Sequence, residues 1–143
     1  MKQEDFRSDC PITSALDVLG DKWILVIIKQ MLLEGAVTFK DFIESDEAIA
    51  SNILTNKLKM LEHVGLIEKK NHPTNKKTNL YFLTEMGLSL TPIIIELALF
   101  SDKNLREMNP IIRKDKELVL MENDREAFIE TLKENYRKQR ANN

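Results

Sequence analysis

The chain contains a single cysteine, Cys10, among 143 residues, so no intrachain disulfide framework can hold the fold. Histidine is nearly as scarce, with only His63 and His72, and there is no paired-cysteine motif, Gly-rich phosphate loop or nucleophile elbow. Without these, no metal site and no cofactor cradle can be read. Cys10 with either histidine would still need a third group to orient the base, so catalysis is not expected. Long apolar runs are also missing. The longest, residues 23–28, falls far short of the roughly 20 residues of a membrane helix, and the opening segment MKQEDFRSD is charged with no apolar signal core. The expectation is a soluble cytoplasmic protein with no membrane partner. There is no internal repeat and no low-complexity tract.

What is present suits one core. At 143 residues and 43% hydrophobic composition, one domain with extensions is the default. A net charge of −2 excludes an indiscriminate polycation, but the charge is unevenly placed. Between residues 49 and 84 the lysines at 57, 59, 69, 70, 76 and 77 face only Glu62 and Glu68, a local charge of +4 that leaves −6 on the rest. A basic face on an acidic body fits binding of a polyanion at one edge, with the body limiting non-specific coating of DNA.

Pro11 suits the first turn of a short helix ending near Gly20, with Ile12, Ala15, Leu16 and Leu19 on its apolar face. Asp21 can cap a second helix over residues 22–34, apolar almost all round and therefore central. Thr38 can cap a third, short helix carrying Phe39, Phe42 and Ile43, with Asp41 in its first turn. From residue 49 a fourth follows, in which Leu54, Leu58 and Leu61 recur at helical spacing while Asn52, Thr55, Asn56 and Lys59 share another face. The third and fourth helices make a helix-turn-helix pair.

The polar face of the fourth helix has the chemistry of base reading. Asn makes paired bonds to the adenine edge, Thr offers a hydroxyl and a methyl, and Lys reaches guanine or a phosphate. No acidic side chain interrupts it. Gly65 supplies a left-handed stop, and an extended run follows from Leu66 and Ile67 through residues 68–70. A return strand is expected over residues 78–84, with Leu80 and Phe82 on one face and Tyr81 and Leu83 on the other. The turn between them, from His72 to Lys77, is polar. A hairpin carrying Lys69 and tipped by Lys76 and Lys77 is a phosphate clamp beside the reading helix, which is the pattern of a winged helix.

A longer helix is expected over residues 85–108, kinked at Pro92 and stopped by Pro110. Its Leu88, Leu90, Ile93, Ile94, Ile95, Leu97, Leu99 and Phe100 exceed what one small domain needs, which marks an interface between two copies. Residues 111–121 are mixed and read as extended. Asn123-x-x-Glu126 can open a last helix with Phe128, Ile129, Leu132 and Tyr136 on one face and basic residues at its end.

Together these residues resemble the HxlR family of bacterial winged-helix transcription regulators, relatives of the MarR group. The resemblance is carried by Cys10-Pro11 with Ala15-Leu16 and Gly20, by Lys22-Trp23 and by Phe39-x-x-Phe42. It continues through Leu54-Thr55-x-Lys57-Leu58-x-x-Leu61-Glu62, Gly65-Leu66-Ile67 and Tyr81-x-Leu83-Thr84-Glu85-x-Gly87. It covers residues 9–108.

The resemblance implies a mainly α fold with a small β-hairpin wing, dimerising through terminal helices. It further implies a homodimer on double-stranded DNA, commonly a repressor on an inverted repeat, without cofactors. On this reading residues 9–108 are the DNA-binding domain with its dimerisation helices, and residues 109–143 an extension that is helical from about 123. Ser51, Asn52, Thr55, Asn56, Lys59, Lys69, Lys76 and Lys77 are the candidate DNA contacts. Where the family often has Ser before the reading helix this chain has Ala50, so Ser51 is expected to cap instead.

Some members of the family sense oxidants or electrophiles through a cysteine placed as Cys10 is, just before the helix-initiating proline. A thiol at a helix N-terminus, with Arg7 near, can have a lowered pKa. Cys10 is thus the candidate thiol sensor, answering an oxidant or small-molecule inducer; the structural alternative is a small packing residue. The alternative to DNA binding is a winged helix that docks a protein partner, without sequence-specific DNA binding.

Overall fold

In the computed structural model, which describes residues 1–114 and 116–143, the chain forms two compact units, Met1–Gly87 and Leu88–Asn143. After a short 3-10 turn, Gln3–Asp5, the first unit carries α1 (Pro11–Leu19), α2 (Ile24–Glu34), α3 (Phe39–Ile43), α4 (Ser51–Val64), β1 (Ile67–Asn71) and β2 (Asn79–Leu83). A single turn of helix, α5 (Glu85–Leu88), follows, and the second unit holds α6 (Thr91–Asn104), α7 (Lys116–Asn123) and α8 (Arg125–Ala141).

The core of the first unit is built on α2, whose Ile24, Ile27, Ile28 and Met31 are fully buried with Phe42 of α3, Leu54 and Leu61 of α4, and Leu66, Ile67 and Leu83 of the hairpin. Asp21 acts one turn earlier than expected. Its Oδ1 accepts from the Trp23 amide at 2.7 Å, and regular helix begins at Ile24 rather than at residue 22. Thr38 caps α3 as its sequence predicts: its Oγ1 accepts from the Asp41 amide, and Asp41 Oδ2 accepts from the Thr38 and Val37 amides, each at 2.9 Å. Satisfying these first-turn donors makes a five-residue helix viable, and it holds the Asp41 carboxyl below the usual range although burial opposes this.

The wing is an antiparallel pair in which Ile67 faces Leu83 and Asn71 faces Asn79. Leu80, Tyr81, Phe82 and Leu83 are all buried, so both faces of β2 are covered. One reason is that the Tyr81 amide donates to Val37 O at 2.8 Å, which brings the chain before α3 alongside β2. The Tyr81 ring then meets Phe42 edge-on at 6.4 Å. Gly65 ends α4 with φ of 93°, a conformation that side chains with a Cβ avoid. Gly87 passes so close to the Leu66 carbonyl that a Cβ there would lie 2.2 Å from its oxygen.

In the second unit, Ile95, Leu99, Met121 and Ile129 form a cluster backed by Ala98, Leu118, Phe128 and Leu132. Two expectations change here. Pro92 does not kink a long helix; it occupies the first turn of a new one, and α6 ends at Asn104, before Pro110. Of the stretch expected to be extended, residue 115 lies outside the described residues, and residues 116–123 are helix. Their Met121 is buried in the cluster, so tertiary packing decides a segment with weak local preference. The last helix is capped one residue later than expected, Asp124 Oδ1 accepting from the Ala127 amide, and it buries Ile129 and Tyr136.

Candidate nucleic-acid interface

Along α4 the division of faces is clean. Leu54, Leu58 and Leu61 are buried, while Ser51, Asn52, Thr55, Asn56 and Lys59 are exposed. The cap differs from expectation: Ser51 is the first helical residue, Ala50 is the N-cap, and no side chain caps the helix. Ser51 cannot accept from the first-turn amides while it stands within that turn. The α4 N-terminus therefore presents backbone N–H groups and a positive dipole end, the arrangement that favours a phosphate. The Thr55 hydroxyl donates to Ser51 O at 2.8 Å, which leaves an oxygen lone pair and the methyl for a ligand.

Lys57 belongs to the basic segment but not to the exposed face. Its Nζ lies 2.6 Å from Asp21 Oδ2, tying the middle of α4 to the entry of α2. The Lys57 ammonium, above all, holds the Asp21 carboxyl below the usual range, helped by the Trp23 amide and opposed by partial burial.

On the wing, Lys69, Lys76 and Lys77 are exposed. The turn that carries the last two is internally tied. His72 Nδ1 accepts from the Thr74 and Asn75 amides, each at 3.2 Å, and Asn75 Oδ1 accepts from the Lys77 amide. The His72 and Thr78 backbones close the loop at 2.9 Å. Lys70 is exposed too, but it lies over the Phe82 ring at 5.7 Å and pairs with Glu68 at 3.6 Å, contacts that its place in the basic run does not reveal.

Cys10 is half-buried and stands as the N-cap of α1. Its pKa is lowered, first by the Thr13 amide, then by the Thr13 hydroxyl and the Ile12 amide. Arg7 does not take part as expected. Its backbone amide and Nε both donate to Asp17, at 3.0 and 2.5 Å. α1 therefore supplies the thiol's stabilisation through its own amides.

The sequence also gives no sign of a cleft where α3, the first turn of α4 and the wing meet. Phe39, Lys40 and Ile43 line it together with Ser51, Lys77 and Tyr81. Residues so far apart in the chain leave no linear motif. Among the described residues no group of three His, Cys, Asp or Glu side chains is placed to hold a metal, and no helix is long and apolar enough to cross a membrane.

A short helix packed before a polar-faced helix, followed by a basic hairpin, defines a winged helix-turn-helix DNA-binding protein. Residues 18–109 match the HxlR-like helix-turn-helix family, and the chain belongs to that family. It is similar to the HTH-type transcriptional regulator YdeP of Bacillus subtilis, 30% identical over 103 residues that cover 69% of this chain and 80% of YdeP. It is likewise similar to the HTH-type transcriptional regulator YodB of Bacillus subtilis, 29% identical and covering 75% of this chain and 96% of YodB. Among solved structures it is similar to the redox regulator HypR in its reduced form, with a TM-score of 0.61 at 27% identity, covering 71% of this chain and 99% of HypR. The chain is thus a transcriptional regulator of HxlR type.

Proposed function

We propose that the protein is a homodimeric repressor that binds an inverted repeat in double-stranded DNA and loses that binding when Cys10 is modified. The observation that carries the reading is the exposed face of α4 formed by Asn52, Thr55, Asn56 and Lys59, with its one acid, Glu62, only in the last turn, together with the lysine-tipped wing. Asn52, Thr55, Asn56 and Lys59 would enter the major groove, where Asn pairs with adenine and Lys reaches guanine. Ser51 with the uncapped α4 amides, and Lys69, Lys76 and Lys77, would hold the phosphates. Residues 9–108 act as the DNA-binding domain with its dimerisation helices, and residues 109–143 as an extension to it.

Two exposed apolar faces support the dimer. On α1, Ile12 and Leu16 are 72% and 53% exposed; on α6, Leu97 and Phe100 are 47% and 58% exposed beside Ile93. Each face offers apolar surface for a second copy to cover, and an inverted repeat requires a dimer whose two reading helices stand about one turn of DNA apart. Cys10 supports the switch because its thiolate is stabilised while the residue stays partly accessible. HypR is a redox regulator with reduced and oxidised forms, and YodB has a reduced and a diamide-treated form, which supports an oxidant as the signal here. Two Cys10 thiols, one from each copy, would lose two electrons and two protons to an oxidant such as diamide and join as a disulfide. With an external thiol or an electrophile, Cys10 would instead form a mixed disulfide or adduct.

Binding measured across a salt series tests the DNA reading. Log affinity should fall linearly with log salt at about −0.9 per phosphate neutralised. Lys76→Ala or Lys77→Ala should reduce that slope by about one each and weaken all sequences evenly, whereas Asn52→Ala or Asn56→Ala should cost about 1–3 kcal/mol and relax preference at particular bases. DNA binding left intact by all four substitutions would place the reading surface elsewhere.

A further inference from the structure

We propose that Lys29 and Gln30 of α2 are positioning residues for DNA recognition: through Ser45 and Glu47 they fix the turn between α3 and α4, and so the direction of the N-terminal half of α4. Neither belongs to the candidate DNA contacts. The consequence for DNA rests on the reading above; the hold on α4 does not.

Among the buried residues of α2 only Gln30 is polar, and it is 1% exposed. Its Nε2 donates to Ser45 Oγ at 2.9 Å, and Ser45 Oγ donates to Phe42 O at 2.7 Å, so one chain of bonds runs from α2 through the turn to α3. Beside it, Lys29 Nζ donates to Glu47 and to Glu34, the second at 2.9 Å. Burial raises the Glu47 carboxyl, but the hydrogen bond and charge of Lys29 outweigh it and hold its pKa below the usual value, so the pair is ionised at neutral pH.

The residue between these holds is strained. Ala48 stands at φ of 53°, and its amide donates to Ser45 O at 3.1 Å. Such a conformation persists where its surroundings over-determine it, and here Ser45 and Glu47 are both held from α2. Ile49, 3% exposed, then anchors the chain before α4 begins at Ser51. No side-chain cap fixes that start, so the turn must. The middle of α4 is tied separately, by Lys57 to Asp21. Ser51, Asn52, Thr55 and Asn56 all lie between the two holds, both of which lead back to α2 and its entry.

Stability does not account for Gln30. Its Oε1 is buried with no hydrogen-bond partner among the described residues, and an unanswered buried acceptor costs stability that an apolar side chain of similar shape does not. A polar group kept in a core on those terms fixes geometry.

The test compares Gln30→Met and Glu47→Ala with the unchanged protein. Residual dipolar couplings of the backbone amides, measured without DNA, report the direction of α4 relative to α2, and urea unfolding reports stability. Recognition is read by titration with the duplex that the unchanged protein selects from a random pool, and with a random-sequence duplex. The α4 couplings should change in both variants, while Gln30→Met keeps or raises the urea midpoint. The Kd for the selected duplex should rise at least about fivefold in each, because a helix in the competent direction for about a fifth of the time binds with about a fifth of the affinity. Random-sequence binding depends on charge and should change less than about twofold. Loss of an acid alone strengthens DNA binding, so weaker binding by Glu47→Ala has the sign of positioning.

Unchanged α4 couplings in either variant, recognition that falls only as the urea midpoint falls, or Glu47→Ala binding as well as the unchanged protein would each overturn the role. Glu47 is a partly exposed turn residue, so its variant decides should Gln30→Met lose the fold. An unchanged protein that selects no duplex would refute the DNA reading, and the couplings would still decide whether α2 directs α4.

Discussion

Cys10 is stabilised as thiolate by groups of its own helix, the Thr13 amide first, rather than by a neighbouring cation. Because the folded pKa is lowered, the reactive fraction at neutral pH exceeds that of an ordinary cysteine and persists to lower pH. The rate of alkylation by iodoacetamide plotted against pH should have its midpoint below that of a free cysteine. Thr13→Val should move the midpoint upward by removing the hydroxyl's share, while Cys10→Ser should abolish labelling; a midpoint at the free-cysteine value would remove the physical basis of the sensor. The thiol's position before Pro11 was legible in the sequence, but the identity of its stabilising groups was not. Arg7 stands close in sequence, yet Asp17, in the last turn of α1, captures it. Ala48 is equally unreadable: it adopts φ of 53° in the turn between α3 and α4, where sequence reasoning would look for glycine or asparagine.

At the scale of elements, periodicity and caps carried most of what could be read. The Leu54, Leu58, Leu61 stripe, the Thr38–Asp41 capping box and the Gly65 stop are local patterns, and each produces the structure it implies. The failures fall where distant contacts decide. α7 forms because Met121 is buried with Ile95, Leu99 and Ile129, and Pro92 opens a helix instead of bending one. The six lysines of the basic segment likewise looked alike in sequence, whereas Lys57 is committed to Asp21 and Lys70 is shared between Glu68 and the Phe82 ring. Asp21–Lys57 predicts a pH dependence. With the Asp21 pKa lowered on folding, the link stabilises the fold above the ordinary carboxylate pKa and is lost as pH falls through the depressed folded value. Asp21→Asn should cost about 1–2 kcal/mol at neutral pH and flatten the acid limb of stability, measured by urea unfolding across pH. Equal loss at pH 7 and well below the carboxylate range would show that the ion pair does not contribute.

For the whole molecule, the apolar excess is the feature with the largest consequence. Sequence counting revealed an excess between residues 88 and 100, and the structure sorts it, burying Ile94, Ile95 and Leu99 while leaving Ile93, Leu97 and Phe100 outward. Spacings of four and three residues put these on one face of α6. Leu97→Glu with Phe100→Glu should shift the protein from dimer to monomer in sedimentation, with a far-UV spectrum that keeps its helix content, and should sharply weaken operator binding because each half-site then binds alone. A dimer that survives both charges would place the interface away from α6. The candidate DNA contacts could be named from sequence because a single helix and hairpin carry them. The cleft at α3, α4 and the wing could not, since these elements contribute to it separately.

Selection of bound sequences from a random duplex pool, with the purified protein either reduced or treated with diamide, tests the central claim most directly. The account predicts an inverted repeat with half-sites about one helical turn apart, recovered from the reduced protein and lost after diamide. The same repeat under both conditions would remove the thiol switch, and no enriched sequence under either condition would contradict the assignment of α4 and the wing to DNA.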